Sequence, residues 1–80
     1  MKVYKFFSPT CGPCKVLEKN LQASGLEYES IDVTKPENEE LVSKYKITSL
    51  PTMIKVDDEG KAISTLKGIL SSELLKKQFE

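Results

Sequence analysis

Histidine is absent from this sequence, and cysteine occurs only twice, at Cys11 and Cys14. A structural zinc ion takes four ligands, usually Cys and His, so no such site fits inside one chain; four cysteines drawn from two chains are the arrangement left open. Two cysteines so close together also restrain almost no chain. They cannot staple a small secreted fold, and their use must be local. Excess charge of either sign is missing as well. Twelve basic residues balance twelve acidic ones, which leaves no overall field to gather nucleic acid or to hold the protein on an anionic membrane. No apolar run approaches the roughly 18 residues of a membrane span, and no small-residue cleavage site follows the first strand-like segment. These absences predict a cytoplasmic protein with no nucleic-acid and no membrane partner, although an exported chain already freed of its signal peptide would read the same. No repeat, linker or low-complexity tract interrupts the chain. Its length supports one core, so residues 1–80 are expected to form a single domain.

Residues 2–7 carry apolar side chains on both faces, Val3 and Phe7 on one and Tyr4 and Phe6 on the other, as a central strand does. Ser8-Pro9-Thr10 breaks that pattern. Cys14, Leu17 and Leu21 then recur at helical spacing, with Val16 beside them, until Ser24-Gly25. Residues 27–33 hold three acids and alternate loosely, which suits an edge strand parallel to the first. Thr34 and Glu37 have capping-box spacing, Pro36 falls in a first helical turn, and Leu41, Val42 and Tyr45 mark the buried side of a second helix. Residues 52–57 and 62–67 are strand-like and joined by Asp58-Glu59-Gly60-Lys61, a hairpin connection. Gly68 closes the second of them, and Ser71 or Ser72 caps a last helix that turns Leu74, Leu75 and Phe79 to the sheet. The expected class is α/β: a four-stranded mixed sheet with three helices on both faces, in the order β-α-β-α-β-β-α.

The chemistry lies in Thr10-Cys11-Gly12-Pro13-Cys14-Lys15. Two intervening residues in the first turn of a helix let the sulfurs meet in a disulfide with little backbone movement. Cys11 falls at or next to the N-cap, where unpaired N–H groups and the helix dipole favour a thiolate, so it is the expected nucleophile. Cys14, one turn further in, is expected to be shielded and to act once a mixed disulfide has formed on Cys11. Gly12 keeps the approach to the sulfur open, and Pro13 stiffens the turn where its missing N–H has no partner to lose. A bare Cys-x-x-Cys serves either redox exchange or half of a zinc site. The absent ligands and the strand–loop–helix setting favour redox exchange.

Cys11-Gly12-Pro13-Cys14-Lys15 after Phe6-Phe7 resembles the active-site segment of thioredoxins. Ser49-Leu50-Pro51-Thr52 resembles the segment in which that family places a cis-proline facing the cysteines, and Asp58-Glu59-Gly60-Lys61 followed by Gly68 resembles its hairpin and the glycine after it. The likeness covers essentially the whole chain but lacks the extra N-terminal strand and helix of full-length thioredoxins; it is strongest to the short thioredoxins of some phages and prophages. The resemblance implies a thioredoxin-like fold and a protein disulfide reductase with no bound cofactor. A thioredoxin-type reductase would recharge it, and disulfide-bearing proteins, ribonucleotide reductase among them, would be its substrates. It also implies that Pro51 is cis, with the Leu50 backbone open beside Cys11 to pair with a substrate peptide, and that Thr10, Ser49 and Gly68 line the contact surface. A monomer is expected, since no apolar stripe is left over beyond that surface.

Two positions depart from the family pattern. Thr10 stands where thioredoxins usually have tryptophan, and Lys5 stands where they commonly keep a buried aspartate. Both changes lean toward glutaredoxins. Recharging by glutathione, with Thr52 and Lys15 contributing to its site, is therefore the alternative enzyme reading, and a binding module whose cysteines only stabilise the fold is the non-enzyme one. Strand alternation puts Lys5 on the Val3 and Phe7 face, its stem covered by a helix. Its ammonium either reaches solvent or pairs with an acid such as Asp57 or Glu29, or it lies near enough to Cys14 to favour that thiolate.

Overall fold

In the computed structural model, which describes residues 2–79, the elements are β1 (Lys2–Phe7), α1 (Gly12–Ser24), β2 (Glu29–Asp32), a 3-10 turn (Pro36–Asn38), α2 (Glu39–Lys44), β3 (Thr52–Val56), β4 (Ala62–Lys67) and α3 (Ser72–Phe79). The sheet order is β2-β1-β3-β4, with β1 parallel to β2 and antiparallel to β3, and β3 antiparallel to β4. This is the thioredoxin-like α/β architecture expected from the chain, in the expected order. β1 is central because both of its faces are apolar, and each face has its own core. Val3 packs with Met53, Leu17, Leu21, Leu70, Leu75 and Phe79 beneath α1 and α3. Phe6, Ile31, Ile54 and Val56 form the opposite core, against which Leu41, Val42, Tyr45 and Ile47 pack. Among the described residues no helix is long and apolar enough to cross a membrane.

Local chemistry sets the ends of the elements. α1 stops at Gly25, which adopts φ 75° and donates its N–H to the Gln22 carbonyl; this left-handed conformation is one that glycine takes without the penalty of a Cβ. Ser71 caps α3 through its hydroxyl oxygen, which accepts from the Leu74 N–H at 3.2 Å. The capping box expected from Thr34 and Glu37 does not form. The Thr34 hydroxyl and N–H both donate to Asp32 Oδ1, at 2.6 and 2.9 Å, so an acid two residues back takes the threonine before a helix can use it. A 3-10 turn beginning at Pro36 precedes α2 instead. Two apolar side chains also differ from expectation. Val16 is 46 % exposed and Leu74 is 37 % exposed, each a neighbour in sequence of a residue that points inward rather than a member of the buried stripe. The second strand is shorter than its loose alternation suggested, covering 29–32 rather than 27–33.

Candidate active site

The C-terminal end of β1 delivers the chain through Ser8–Thr10 into α1. The Cys11 N–H donates to the Ser8 carbonyl at 3.2 Å, which closes the loop. Cys11 is the N-cap, with extended backbone (φ −85°, ψ 105°), and its Sγ accepts the N–H of Cys14 at 3.2 Å. An unpaired helical N–H is thus aimed at the sulfur, and no acidic residue stands in the first turn to oppose a negative charge there. Cys11 and Cys14 are joined in a disulfide, with Cα atoms 5.3 Å apart. Cys14 is 3 % exposed, whereas Cys11 is half-buried and Thr10, Gly12, Pro13 and Lys15 are exposed. A Cβ placed on Gly12 meets nothing within 4 Å, so open space faces that position.

Two further segments meet the cysteine loop's side of the sheet. The Leu50–Pro51 bond is cis. Pro51 is buried, and its carbonyl accepts the Gly68 N–H at 3.0 Å, which ties the entry to β3 to the exit from β4. Among the described residues no hydrogen bond engages the Leu50 N–H or carbonyl, while the Leu50 side chain packs on the Phe6 core. Ser49 is exposed, and its carbonyl accepts from the buried hydroxyl of Thr52 at 2.7 Å. Gly68 has φ 91° with open space where a side chain would stand. Ile69, next to it, is 52 % exposed, and the Asn20 amide donates to the Leu70 carbonyl at 2.8 Å, which fastens this segment to α1.

Lys5 departs from expectation. It is 2 % exposed, so it does not reach solvent, and its partner is neither Asp57 nor Glu29 but Glu18 on α1, with Nζ 3.4 Å from Oε1. Asp57 follows the end of β3 that pairs with Lys2, and its Oδ1 accepts the N–H groups of Glu59 and Lys61 at 2.9 Å each. The Lys5 ammonium also lies over the rings of Phe7 and Tyr28, 4.8 and 5.6 Å from their centroids. Burial, and secondarily the Glu18 carboxylate, push the Tyr28 phenol above its ordinary ionisation range. Glu18 and Asn20 were not singled out by sequence reasoning. Glu18 carried one available signal, its position four residues after Cys14, which places it on the same helix face; Asn20 carried none. Among the described residues no group of three or more His, Cys, Asp or Glu side chains converges to hold a metal ion.

The arrangement is a disulfide pair at the start of α1 in which Cys11 is half-buried and Cys14 buried. It can exchange disulfides and needs no bound group to do so. Comparison with known proteins agrees with this chemistry. The Thioredoxin family model matches residues 1–80. The SPbeta prophage-derived thioredoxin-like protein YosR of Bacillus subtilis is 27 % identical over 74 residues, covering 92 % of this chain and 90 % of that one. Thioredoxin of the same organism is 35 % identical over 75 residues, 89 % of this chain and 71 % of that one. The structure of a point mutant of thioredoxin from Halobacterium salinarum superposes with a TM-score of 0.81 at 29 % identity, covering 98 % of this chain and 70 % of that one. With its Cys11–Cys14 disulfide at the start of α1 and this architecture, the chain belongs to the thioredoxin family and carries the redox pair typical of thiol:disulfide oxidoreductases.

Proposed function

We propose that the protein is a protein disulfide reductase in which Cys11 attacks and Cys14 resolves. The observation that carries the reading is the asymmetry of the pair: the Cys14 N–H is directed at the half-exposed Cys11 sulfur, while Cys14 itself is buried. The Cys11 thiolate attacks one sulfur of a substrate disulfide and expels the other as a thiolate. Cys14 then attacks Cys11 Sγ, forms the Cys11–Cys14 bond and releases the second substrate sulfur. Two electrons have passed to the substrate, and a thioredoxin-type reductase returns them. In this reading the free Leu50 backbone pairs with an extended substrate segment as a short added strand, and Thr10, Ser49, Gly68 and the exposed Ile69 border it. Gly12, Pro13 and Lys15 support the turn, and the chain works as one domain and as a monomer. Likeness to short phage-type relatives supports ribonucleotide reductase as a target.

Recharging by glutathione is disfavoured by one contact. The tripeptide's carboxylates need donors near Pro51, yet the Thr52 hydroxyl is buried and already donates to the Ser49 carbonyl. Insulin reduction coupled to NADPH decides between the two, with thioredoxin reductase in one arm and glutathione plus glutathione reductase in the other. Turnover is expected in the first arm only. Turnover in the second alone makes the protein a glutaredoxin, and turnover in neither, with Cys11 free, sinks the reductase reading in favour of a binding module.

A further inference from the structure

At the end of the sheet away from the cysteines, α2 and the β3–β4 hairpin border a cleft of about 330 Å³, the size at which small-molecule sites begin. Ile54 and Thr65, paired across β3 and β4, line it together with Tyr45. So do three lysines, Lys44, Lys46 and Lys61, against one carboxylate, Glu59. Glu59 is 4.0 Å from Lys61, with both side chains more than three-quarters exposed, so water weakens that pair. Among the described residues neither Lys44 nor Lys46 has a carboxylate at ion-pair distance. Lys44 is seated without one. Its Nζ lies 5.2 Å from the Tyr45 ring centroid and only 2.8 Å from where a Cβ on Gly60 would stand, so the bare glycine makes room for the ammonium. The hydrogen bond from the Tyr45 hydroxyl to the Gly60 carbonyl fixes the two sides of the cleft to each other.

Lys46 supplies a second, independent observation. It follows Tyr45, the C-cap of α2, and among the described residues it is the one non-glycine with positive φ, at 51°. Its N–H donates to the Ser43 carbonyl at 3.2 Å and the Ile47 N–H to the Val42 carbonyl at 3.0 Å. That pattern closes a helix through a left-handed residue, which is usually glycine or asparagine. α1 ends on Gly25 in this way, whereas α2 ends on a lysine whose Cβ is strained there. Attraction of a cation to a helix C-terminus needs no strained residue, since Lys44 in the last turn already supplies it. The chain thus gives up backbone stability at the position that sets a third ammonium beside the cleft.

We propose that this cleft binds the phosphate of a small molecule, carried as an ester or as inorganic pyrophosphate, with Lys44, Lys46 and Lys61 as its cationic donors. Lysine meets phosphate as a point charge with three donors. Three such charges against one screened acid leave an excess of two, which a phosphate ester of charge near −2 neutralises. The Thr65 hydroxyl adds a neutral donor, and Ile54 and the Tyr45 ring offer an apolar surface to the rest of the ligand. The site is separate from Cys11 and Cys14 and does not depend on their chemistry.

The test titrates the oxidised, nitrogen-15-labelled full chain at low salt with pyrophosphate, with a hexose monophosphate, and with the unphosphorylated hexose as control. Amide shifts at Lys44, Lys46, Gly60, Lys61 and Thr65 should saturate with at least one of the two phosphates, with Kd at or below about 1 mM. The tighter of the two identifies the carrier, and the bare hexose should move nothing. Lys44→Gln should raise Kd at least about five-fold. Lys46→Gly should raise Kd and also raise the urea midpoint, since glycine relieves the left-handed position while the charge is lost. Lys76→Gln, at an exposed lysine of α3, should leave Kd unchanged. Shifts that never saturate with either phosphate overturn the proposal, and so does a Kd unmoved in Lys44→Gln or in Lys46→Gly. A midpoint that does not rise in Lys46→Gly overturns it too, by removing the strain that singles out this lysine. Equal weakening in Lys76→Gln would reduce the binding to overall charge and overturn it as well.

Discussion

The Tyr45 hydroxyl donates to the Gly60 carbonyl at 2.6 Å, joining the end of α2 to the tip of the β3–β4 hairpin across fifteen residues. The contact also seats the Tyr45 ring against Tyr4 and Phe6, with centroids 6.2 Å apart in each pair. Tyr45→Phe keeps the rings and removes the donor. It is expected to lower unfolding free energy by about 1 kcal/mol, read as a shift of the urea midpoint at constant slope. No shift would mean that water replaces the tyrosine without loss.

In the reduced protein, iodoacetamide at neutral pH should label Cys11 well before Cys14, since the cap N–H and exposure both favour the first sulfur. Peptide mass spectrometry at successive times gives the two rates. Equal rates would reverse or abolish the assigned roles. Cys14→Ser should, by the same logic, accumulate stable adducts with substrate proteins in a lysate.

Asp32 is held below the ordinary carboxylate range, first by the Thr34 hydroxyl, then by the Thr34 N–H and the nearby Lys35 charge. A depressed folded-state value favours the ionised form, so its contribution to stability is present above the unfolded value and is lost as pH falls through the folded one. Thr34→Val removes the strongest of these influences. It should move the Asp32 titration, followed by carboxyl carbon NMR, upward toward its ordinary position; an unmoved titration would assign the shift to the backbone N–H.

Lys5→Met should leave the protein as stable as before or raise its stability by up to about 2 kcal/mol, because an apolar side chain of similar length replaces a buried ammonium while its half-exposed partner Glu18 keeps access to water. Lys5→Ala, which also leaves a cavity, should cost stability. A large loss in Lys5→Met would show that the ion pair itself holds α1 on the sheet.

Much of this fold was legible because local signals agree with one another. The two apolar faces of β1 require a layer on each side, the hairpin glycine at 60 has φ 83°, and Ser24-Gly25 stops a helix where the apolar spacing stops. What escaped depends on how elements are set against each other. Periodicity names the face on which Lys5 lies but not which acid on the covering helix comes within reach, and the two acids expected to pair with it, Asp57 and Glu29, lie elsewhere. Thr34 carried two competing uses, as a cap for the next helix or as a donor to Asp32 behind it, and only the turn geometry decides between them. Leu74 and Leu75 are adjacent leucines with equal hydrophobicity; the rotation of α3 on the sheet buries one of them. Asn20 gave no hint, since its partner Leu70 lies fifty residues away.

That last bond bears on how the protein is made. Both cysteines are synthesised before every element that follows α1, on a segment that by itself is a loop and one helix. The strap that Asn20 holds is synthesised fifty residues later, and the Gly68 N–H that meets Pro51 only slightly earlier. A nascent chain therefore carries both thiols before it carries the Leu50–Pro51 and Gly68 segments proposed to contact a substrate. Stalled or truncated translation products would carry the two thiols without those segments, open to any oxidant or disulfide nearby.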